Sequence, residues 1–149
     1  MLIRKATPQD LADIVAFNQA MAFETEGLEL DGAVLQRGVQ TLLAQPSRGF
    51  YLVAEQDGNI AASLMVTFEW SDWRAKDYYW IQSVYVQPAF RRQGLYRALY
   101  QHVKQLALEK GSAASFRLYV EQDNLVAQST YQALGMEQSH YLMFEEKVK

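Results

Sequence analysis

The stretch from Ser83 to Gly111 constrains the fold of this chain most, because its pattern is typical of a strand, a tight loop and a helix in direct succession. Pro88 cannot donate to a sheet ladder and therefore ends the strand-like run before it. Beyond Gly94, apolar residues recur at helical spacing, and Gly111 stands where a left-handed helix cap belongs. The sequence predicts a helix whose buried face carries Leu95, Leu99, Val103 and Leu106, with Tyr96, Tyr100 and Ala107 beside them.

The loop of this unit has the properties of an anion site. Between a strand and a helix N-terminus, backbone amides have no partner within the helix, and the helix dipole adds partial positive charge. Gly94 lets the backbone come close to a ligand, and Arg91 and Arg92 add charge, so phosphate is the expected ligand. The loop lacks the Lys-Ser/Thr pair of the nucleotide P-loop and the three glycines of dinucleotide-binding folds. An ordinary turn with one glycine is the alternative interpretation.

Composition limits the class of protein. A chain of 149 residues, half of them hydrophobic and 21% charged, is typical of one folded domain rather than a disordered chain. A net charge of -3 and a pI near 5.4 argue against a general nucleic-acid binder. Without an apolar run of membrane-spanning length or an apolar signal core, we expect a cytoplasmic protein with no membrane partner. The absence of cysteine excludes disulfides and thiolate metal sites, and two distant histidines predict no metal.

The first third of the chain predicts one short strand and two helices. Leu2 to Lys5 forms the strand, and Thr7 before Pro8 starts the first helix. An acidic loop is expected from Phe23 to Asp31, either as a solvated surface or as an attraction for a cationic substrate. Asp31 then caps a second helix, whose expected buried side carries Val34, Leu35, Val39, Leu42 and Leu43.

From residue 50 onward the hydrophobic period changes to that of strands. The predicted strands are Phe50–Glu55, Ile60–Trp70 and Tyr78–Val86, with a hairpin signal at 56–59. After the central helix we expect a strand at Ser115–Val120, a helix ending at Gly135 and a last strand at Tyr141–Glu145. The order βααβββαβαβ predicts a single α/β domain over residues 1–149, with a mixed, mostly antiparallel central sheet flanked by helices.

Two segments carry a resemblance to a known family. Arg91-Arg92-Gln93-Gly94-Leu95-Tyr96 resembles the pyrophosphate loop, Arg/Gln-x-x-Gly-x-Gly/Ala, of the GCN5-related N-acetyltransferases, although Tyr96 replaces the last small residue. The segment from Asn124 to Met136 resembles the family's Asn-(x)6-Tyr-x-x-Gly-Phe, with Met136 in place of the aromatic residue. The element order agrees with the same family. Taken without the resemblance, Asn124 is a helix N-cap and Tyr131 a core tyrosine.

The resemblance implies acetyl-CoA as the acetyl donor. It implies that the Val86 amide binds the thioester carbonyl, and that Asn124 bonds pantetheine or fixes the helix entry. It further implies that Tyr131 protonates the departing thiolate, a role suited to a phenol that is protonated at neutral pH. Val84 and Tyr85 are implied to pair by backbone with the pantetheine arm. The full set of implied donor-binding residues is Val84, Tyr85, Val86, Arg91, Arg92, Gln93, Gly94, Leu95, Tyr96, Arg97 and Asn124.

The acceptor side is less defined by the sequence. Candidate bases for the attacking amine are Glu24, Glu26, Glu69, Glu121 and the phenol of Tyr85, each of which is otherwise a surface or packing group. Candidate acceptor contacts are Glu24, Glu26, Trp73 and Glu121. An aromatic cluster on the long hairpin is either a substrate wall or a packing or dimer contact, and it consists of Phe68, Trp70, Trp73, Tyr78, Tyr79 and Trp80.

The resulting prediction is an acetyl-CoA-dependent N-acetyltransferase that acts directly on a primary amine. The expected partner is a small-molecule amine, such as a diamine, a polyamine or an amino-acid-like amine, because the acidic loop and Trp-rich hairpin resemble the small-amine branch of the family. Alternatives are a protein N-terminal or lysine amine as acceptor, and a non-catalytic acyl-CoA-binding regulatory module. A nucleotide hydrolase is disfavoured by the missing lysine. A homodimer is left open.

Overall fold

A computed structural model describes residues 1–149 and shows a five-stranded sheet whose strands lie side by side in chain order. They are β1 (Leu2–Lys5), β2 (Gly49–Gln56), β3 (Asn59–Ser71), β4 (Lys76–Val86) and β5 (Ala113–Arg117). The first four strands pair antiparallel, and β5 runs parallel to β4. The predicted mixed, mostly antiparallel sheet is therefore confirmed.

Helices cover both faces of the sheet. Helices α1 (Leu11–Glu26) and α2 (Gly32–Ala44) pack on one face, where Ile14 and Val39 join Tyr51 and Val53 in a buried cluster. Helix α3 (Leu95–Lys110) packs across all five strands on the opposite face. Its Leu99 and Val103 are fully buried, and the Tyr100 ring centroid lies 5.9 Å from that of Phe116 on β5. The predicted apolar face of α3 is thus confirmed by burial.

The ends of the first two helices correct the expected acidic loop. The predicted first turn at Pro8 is a short 3-10 turn, Pro8–Asp10, which leads into α1. Helix α1 then continues through the expected loop to Glu26 and stops only at Gly27, whose φ of 64° forms a left-handed cap. Residues 23–26 are therefore helical, and the loop is restricted to 27–31.

Asp31 caps α2 as expected, because its Oδ1 accepts hydrogen bonds from the amides of Ala33 and Val34. The placement of Val34 on the buried side of α2 was wrong, since its side chain is 53% exposed. Val34 lies in the first turn of the helix, and the stripe that faces the sheet is carried by Val39 and Leu42.

The chain divides into two compact units, Met1–Leu118 and Tyr119–Lys149. The first contains the sheet and α1 to α3, and the second contains α4 (Leu125–Ala133). The predicted strand at Tyr141–Glu145 does not form, because a strand exists only through a hydrogen-bonded neighbour and no strand pair includes this segment. The fifth strand ends at Arg117 rather than Val120, where its pairing with Trp80 ends. No helix combines the length and apolarity that a membrane span requires.

Candidate active site

The predicted anion loop joins the end of β4 to the first turn of α3. Arg92 and Gly94 both adopt left-handed backbone, with φ of 62° and 75°, and turn the chain into the helix. The first helical hydrogen bond runs from the Ala98 amide to the Gly94 carbonyl at 3.0 Å. The amides that precede it, at 95–97, therefore have no partner within the helix. The local geometry is that of a helix N-terminus open to an anion.

Gly94 leaves room for a close approach of a ligand to the loop. A Cβ atom at this position would have no protein atom within 4 Å, so no side chain fills the space beside the turn. Tyr96 does not close the site with its ring, which stacks parallel to the ring of Tyr100 at 6.3 Å between centroids. The replacement of the family's usual small residue by Tyr96 therefore places a ring along the helix and leaves the Tyr96 amide in position.

The charged residues of the loop have different surroundings. Arg92 and Arg97 are exposed and belong to no ion pair. Arg91 instead turns back towards β4 and α1. Its Nε donates to the Val86 carbonyl at 2.9 Å, and one of its terminal nitrogens lies 3.1 Å from Glu24 Oε1. Gln93 is held by the Gln56 side chain at 2.9 Å.

Strand β4 has a free edge next to this loop. Its pairing with β5 covers only Asp77–Trp80, so residues 81–86 carry no strand on that side. The Gln87 amide donates to the Ala61 carbonyl, and by the alternation of an antiparallel ladder the backbone groups of Val86 point away from β3. The same alternation turns the backbone of Tyr85 towards Ser63. Val86 is thus well placed as a backbone donor, whereas Tyr85 faces the site with its side chain.

A bulge bends β4 within this edge, at Ser83 and Val84. The β3–β4 register shifts between Ser63 and Met65, and Ser83 has a φ of 51°, a backbone conformation that is uncommon outside glycine. A bulge of this kind ends regular pairing and redirects the strand that follows it. Val84, which the resemblance places in the donor-binding set, is the second residue of this bulge.

Glu24, Tyr85 and Arg91 form a cluster beside Val86. The Tyr85 hydroxyl and the Arg91 guanidinium lower the pKa of Glu24, and burial together with Glu24 raises the pKa of Tyr85. The Tyr85 ring lies 5.3 Å from that of Phe17 and 5.5 Å from the Arg91 guanidinium carbon. A carboxylate with a lowered pKa is a poor proton acceptor but a stable anion. Glu24 is therefore poorly suited to removing a proton from an amine near neutral pH.

The aromatic side chains of the β3–β4 hairpin lie on both faces of the sheet. Phe68 and Tyr79 lie on the α3 face, with ring centroids 5.0 Å apart, and therefore take the packing role. Tyr78 and Trp80 lie on the opposite face, where the Arg117 guanidinium stacks 3.6 Å from the centroid of the Tyr78 ring. Trp73 lies in the turn and is 91% exposed.

The second unit holds the other predicted site residues. Asn124 Oδ1 accepts a hydrogen bond of 3.1 Å from the Ala127 amide, so the side chain is an N-cap of α4. Tyr131 lies on α4, and burial raises the pKa of its hydroxyl, which keeps the phenol protonated. Glu121 is exposed and precedes α4.

The structure thus brings Glu24, Tyr85, Val86 and Arg91 together. Glu26 and Glu69 form no hydrogen bond or ion pair with these four residues. Glu26 is exposed at the end of α1, and Glu69 is bound by Trp80 and Arg117. The contact between Arg91 and Glu24 was not predicted. The two residues are 67 positions apart, and no local pattern in the sequence signals such a pair.

Comparisons with known proteins point to one family. Residues 14–136 match the model of the "Acetyltransferase (GNAT) family". A thialysine N-epsilon-acetyltransferase of Mus musculus is 28% identical over 130 residues, which are 85% of this chain and 72% of the mouse protein. The Bos taurus protein of the same name is 35% identical over 68 residues, 46% of this chain and only 39% of the bovine protein. A solved structure of "a possible acetyltransferase from Clostridium difficile 630" is 41% identical, with a TM-score of 0.94, and the match covers 99% of this chain and 97% of that one.

Proposed function

The chain belongs to the acetyltransferase (GNAT) family, and from that premise we propose that it transfers an acetyl group from acetyl-CoA directly to the primary amine of a small cationic molecule. The observation that carries the proposal is the contact of Arg91 with both Glu24 and Val86, which joins the acidic end of α1 to the free edge of β4. Glu24 is paired with Arg91, but Glu26 at the same helix end is exposed and belongs to no ion pair, so an acceptor amine beside that edge meets net negative charge. Diamines, polyamines and amino-acid-like amines have the matching charge.

The residues of the α3 loop fit the donor. Acetyl-CoA supplies an activated thioester and a pyrophosphate that carries negative charge. The amides of residues 95–97 and the exposed Arg92 and Arg97 are suited to that charge, and the open space beside Gly94 allows the backbone to approach it. The resemblance implies backbone pairing of Val84 and Tyr85 with the extended part of the donor, as an added strand pairs with a sheet edge. Because the Tyr85 backbone turns towards Ser63, Val84 and Val86 are the residues proposed here for that pairing.

Acetyl transfer to an amine passes through a tetrahedral intermediate that carries an oxyanion. The Val86 amide is the proposed donor to that oxygen, because it points away from β3 while the carbonyl of the same residue is occupied by Arg91. Tyr131 is the proposed acid that gives a proton to the departing sulfur, and its raised pKa keeps that proton available at neutral pH. Asn124 would act by fixing the entry to α4, since its Oδ1 already caps the helix.

The residues of the acceptor site are proposed to bind the positive charge of the amine and not to supply a strong base. The lowered pKa of Glu24 and the raised pKa of Tyr85 both disfavour proton removal by these groups near neutral pH. Glu24 would hold an ammonium group of the acceptor, and the exposed Glu26, Trp73 and Glu121 remain proposed outer contacts. The similarity to thialysine N-epsilon-acetyltransferases supports an amino-acid-like or diamine acceptor.

A comparison of matched acceptors tests the acceptor class. We expect kcat/KM for 1,4-diaminobutane to exceed that for butylamine by about tenfold, because only the diamine offers a second charge to the acidic segment. Equal values would contradict the cationic acceptor.

The general-acid role of Tyr131 is tested with Tyr131→Phe. We expect turnover to fall about 100-fold with little change in acetyl-CoA affinity, because the variant loses only a proton donor. Tyr141→Phe is the matched control, since Tyr141 is an exposed tyrosine of the same unit. Unchanged turnover in Tyr131→Phe would remove Tyr131 from the mechanism.

A further inference from the structure

Arg91 occupies the first position of the pyrophosphate-like loop, yet its side chain does not face the helix N-terminus. Its Nε donates to the Val86 carbonyl at 2.9 Å, and the same terminal nitrogen lies 3.1 and 3.3 Å from the two oxygens of Glu24. The guanidinium carbon also lies 5.5 Å from the centroid of the Tyr85 ring. These contacts hold one planar group against β4 and α1 at the same time.

The geometry of a guanidinium makes this arrangement specific. Its donors form a rigid planar fork, so a contact made through Nε and a contact made through a terminal nitrogen together fix the orientation of the whole group. Any phosphate that recruited Arg91 would have to compete with the Glu24 carboxylate for it. Arg92 and Arg97 belong to no ion pair and face no such competition.

We infer that Arg91 is a positioning residue that ties the acceptor-side carboxylate Glu24 to the donor strand at Val86, while Arg92 and Arg97 supply the side-chain charge for the pyrophosphate. This inference rests on the proposed function. Arg91 donates a hydrogen bond to the Val86 carbonyl. The Val86 amide is then the backbone group of that residue that can bind a ligand at the free edge of β4. Arg91 also sets the direction of Glu24 at the last turn of α1.

The consequence is a link between acceptor recognition and the donor strand. Loss of the Arg91 side chain would free Glu24 from its orientation without removing its charge, and it would leave the loop amides in place. The affinity for acetyl-CoA should then change little while the KM for the amine rises. Loss of Arg92, the adjacent loop arginine, should give the reverse pattern.

The test compares Arg91→Met with Arg92→Met in the full chain. Calorimetry gives the Kd of acetyl-CoA, and steady-state kinetics with 1,4-diaminobutane gives KM and kcat. For Arg91→Met we expect a Kd within about twofold of the wild type and a KM raised about fivefold, as for the loss of a partly exposed ion pair. For Arg92→Met we expect a Kd weakened about tenfold, as for the loss of a charge-assisted contact. An equal weakening of Kd in both variants would overturn the inference.

Glu24→Gln gives a second measurement that leaves Arg91 in place. Its KM for the diamine should rise in the same way, and the double variant Arg91→Met/Glu24→Gln should have a KM no higher than the larger of the two single effects, because both act through one contact. Independent, multiplying effects would overturn the link between the two residues. Thermal unfolding of each variant separates this result from a general loss of structure.

The two proposals fail in different ways. Calorimetry needs no acceptor, so if the wild type binds acetyl-CoA but acetylates no small amine, the acceptor class fails while the Kd values of Arg91→Met and Arg92→Met still decide the role of Arg91. A wild-type chain that does not bind acetyl-CoA would overturn both.

Discussion

Glu69 accepts a hydrogen bond of 2.8 Å from the indole Nε1 of Trp80 across the β3–β4 hairpin, and the same carboxylate oxygen lies 3.4 Å from the Arg117 guanidinium. The carboxylate is therefore held between two donors on β4 and β5. Such a carboxylate links neighbouring strands on the sheet surface and is not free to accept a proton from a substrate. Glu69 is the candidate base that the structure assigns most clearly to a structural role.

Glu69→Gln should therefore leave catalysis nearly intact. Glutamine keeps an oxygen that accepts from Trp80 and loses only the charge opposite Arg117, so we expect kcat/KM within about twofold of the wild type. Steady-state kinetics with the best amine measures the effect. A base would behave differently, because removal of a general base costs on the order of 100-fold or more. A loss of that size would return Glu69 to the mechanism.

The two ends of α3 offer a matched pair of glycines for the donor site. Gly94 and Gly111 both have left-handed backbone, with φ of 75° and 71°, and a Cβ atom at either position would meet no protein atom within 4 Å. Gly94→Ala and Gly111→Ala should each lower the free energy of unfolding by about 1 kcal/mol through the left-handed conformation.

Only Gly94→Ala should weaken acetyl-CoA binding, by about tenfold, because its methyl group enters the space from which a phosphate would approach the loop. Calorimetric titration of both variants measures the difference. Equal affinity in the two variants would show that the anion does not bind beside Gly94.

The pair of Arg4 and Asp10 predicts how stability depends on pH. Arg4 donates to both oxygens of the buried Asp10, at 2.8 and 3.0 Å, and these hydrogen bonds lower the pKa of Asp10 below its ordinary value of 3.8. A depressed pKa means that the folded state favours the carboxylate. The stabilisation is therefore complete above the unfolded pKa and is lost as the pH falls through the folded pKa.

Asp10→Asn should lower the free energy of unfolding by about 1.5 kcal/mol at pH 7, and the deficit should shrink well below pH 3.8. Urea unfolding at both values of pH measures it. Asp13→Asn is the control, because Asp13 is exposed in the first turn of α1 and belongs to no ion pair, so its deficit at pH 7 should be smaller than that of Asp10→Asn. A deficit in Asp10→Asn that did not change with pH would assign the effect to packing instead of charge.

Helix caps and turns depend on residues that are adjacent in the chain, and these could be predicted from the sequence. The cap at Asp31, the turn at Gly94 and the end of α3 at Gly111 follow from local backbone chemistry, and all were confirmed. The apolar run at 141–145 has strand character, but a strand needs a partner, and the sequence does not specify one.

The contacts that the sequence missed are long-range. Arg91 matches a loop pattern, so its charge was assigned to the pyrophosphate, while its actual partners include a carboxylate 67 residues away. The stacking of Arg117 on Tyr78 also joins two strands that are distant in the chain. Pairings of this kind depend on the register of the sheet and on the helix packed against it, which only the folded chain determines.

The most direct measurement is thiol release from acetyl-CoA with a panel of diamines, polyamines, amino acids and short peptides, run together with calorimetric titration of acetyl-CoA. The account predicts that acetyl-CoA binds and that thiol is released at the highest kcat/KM with small amines that carry a second positive charge. Binding without release for every amine would contradict the proposed function, and an absence of binding would contradict the assignment of the α3 loop to acetyl-CoA.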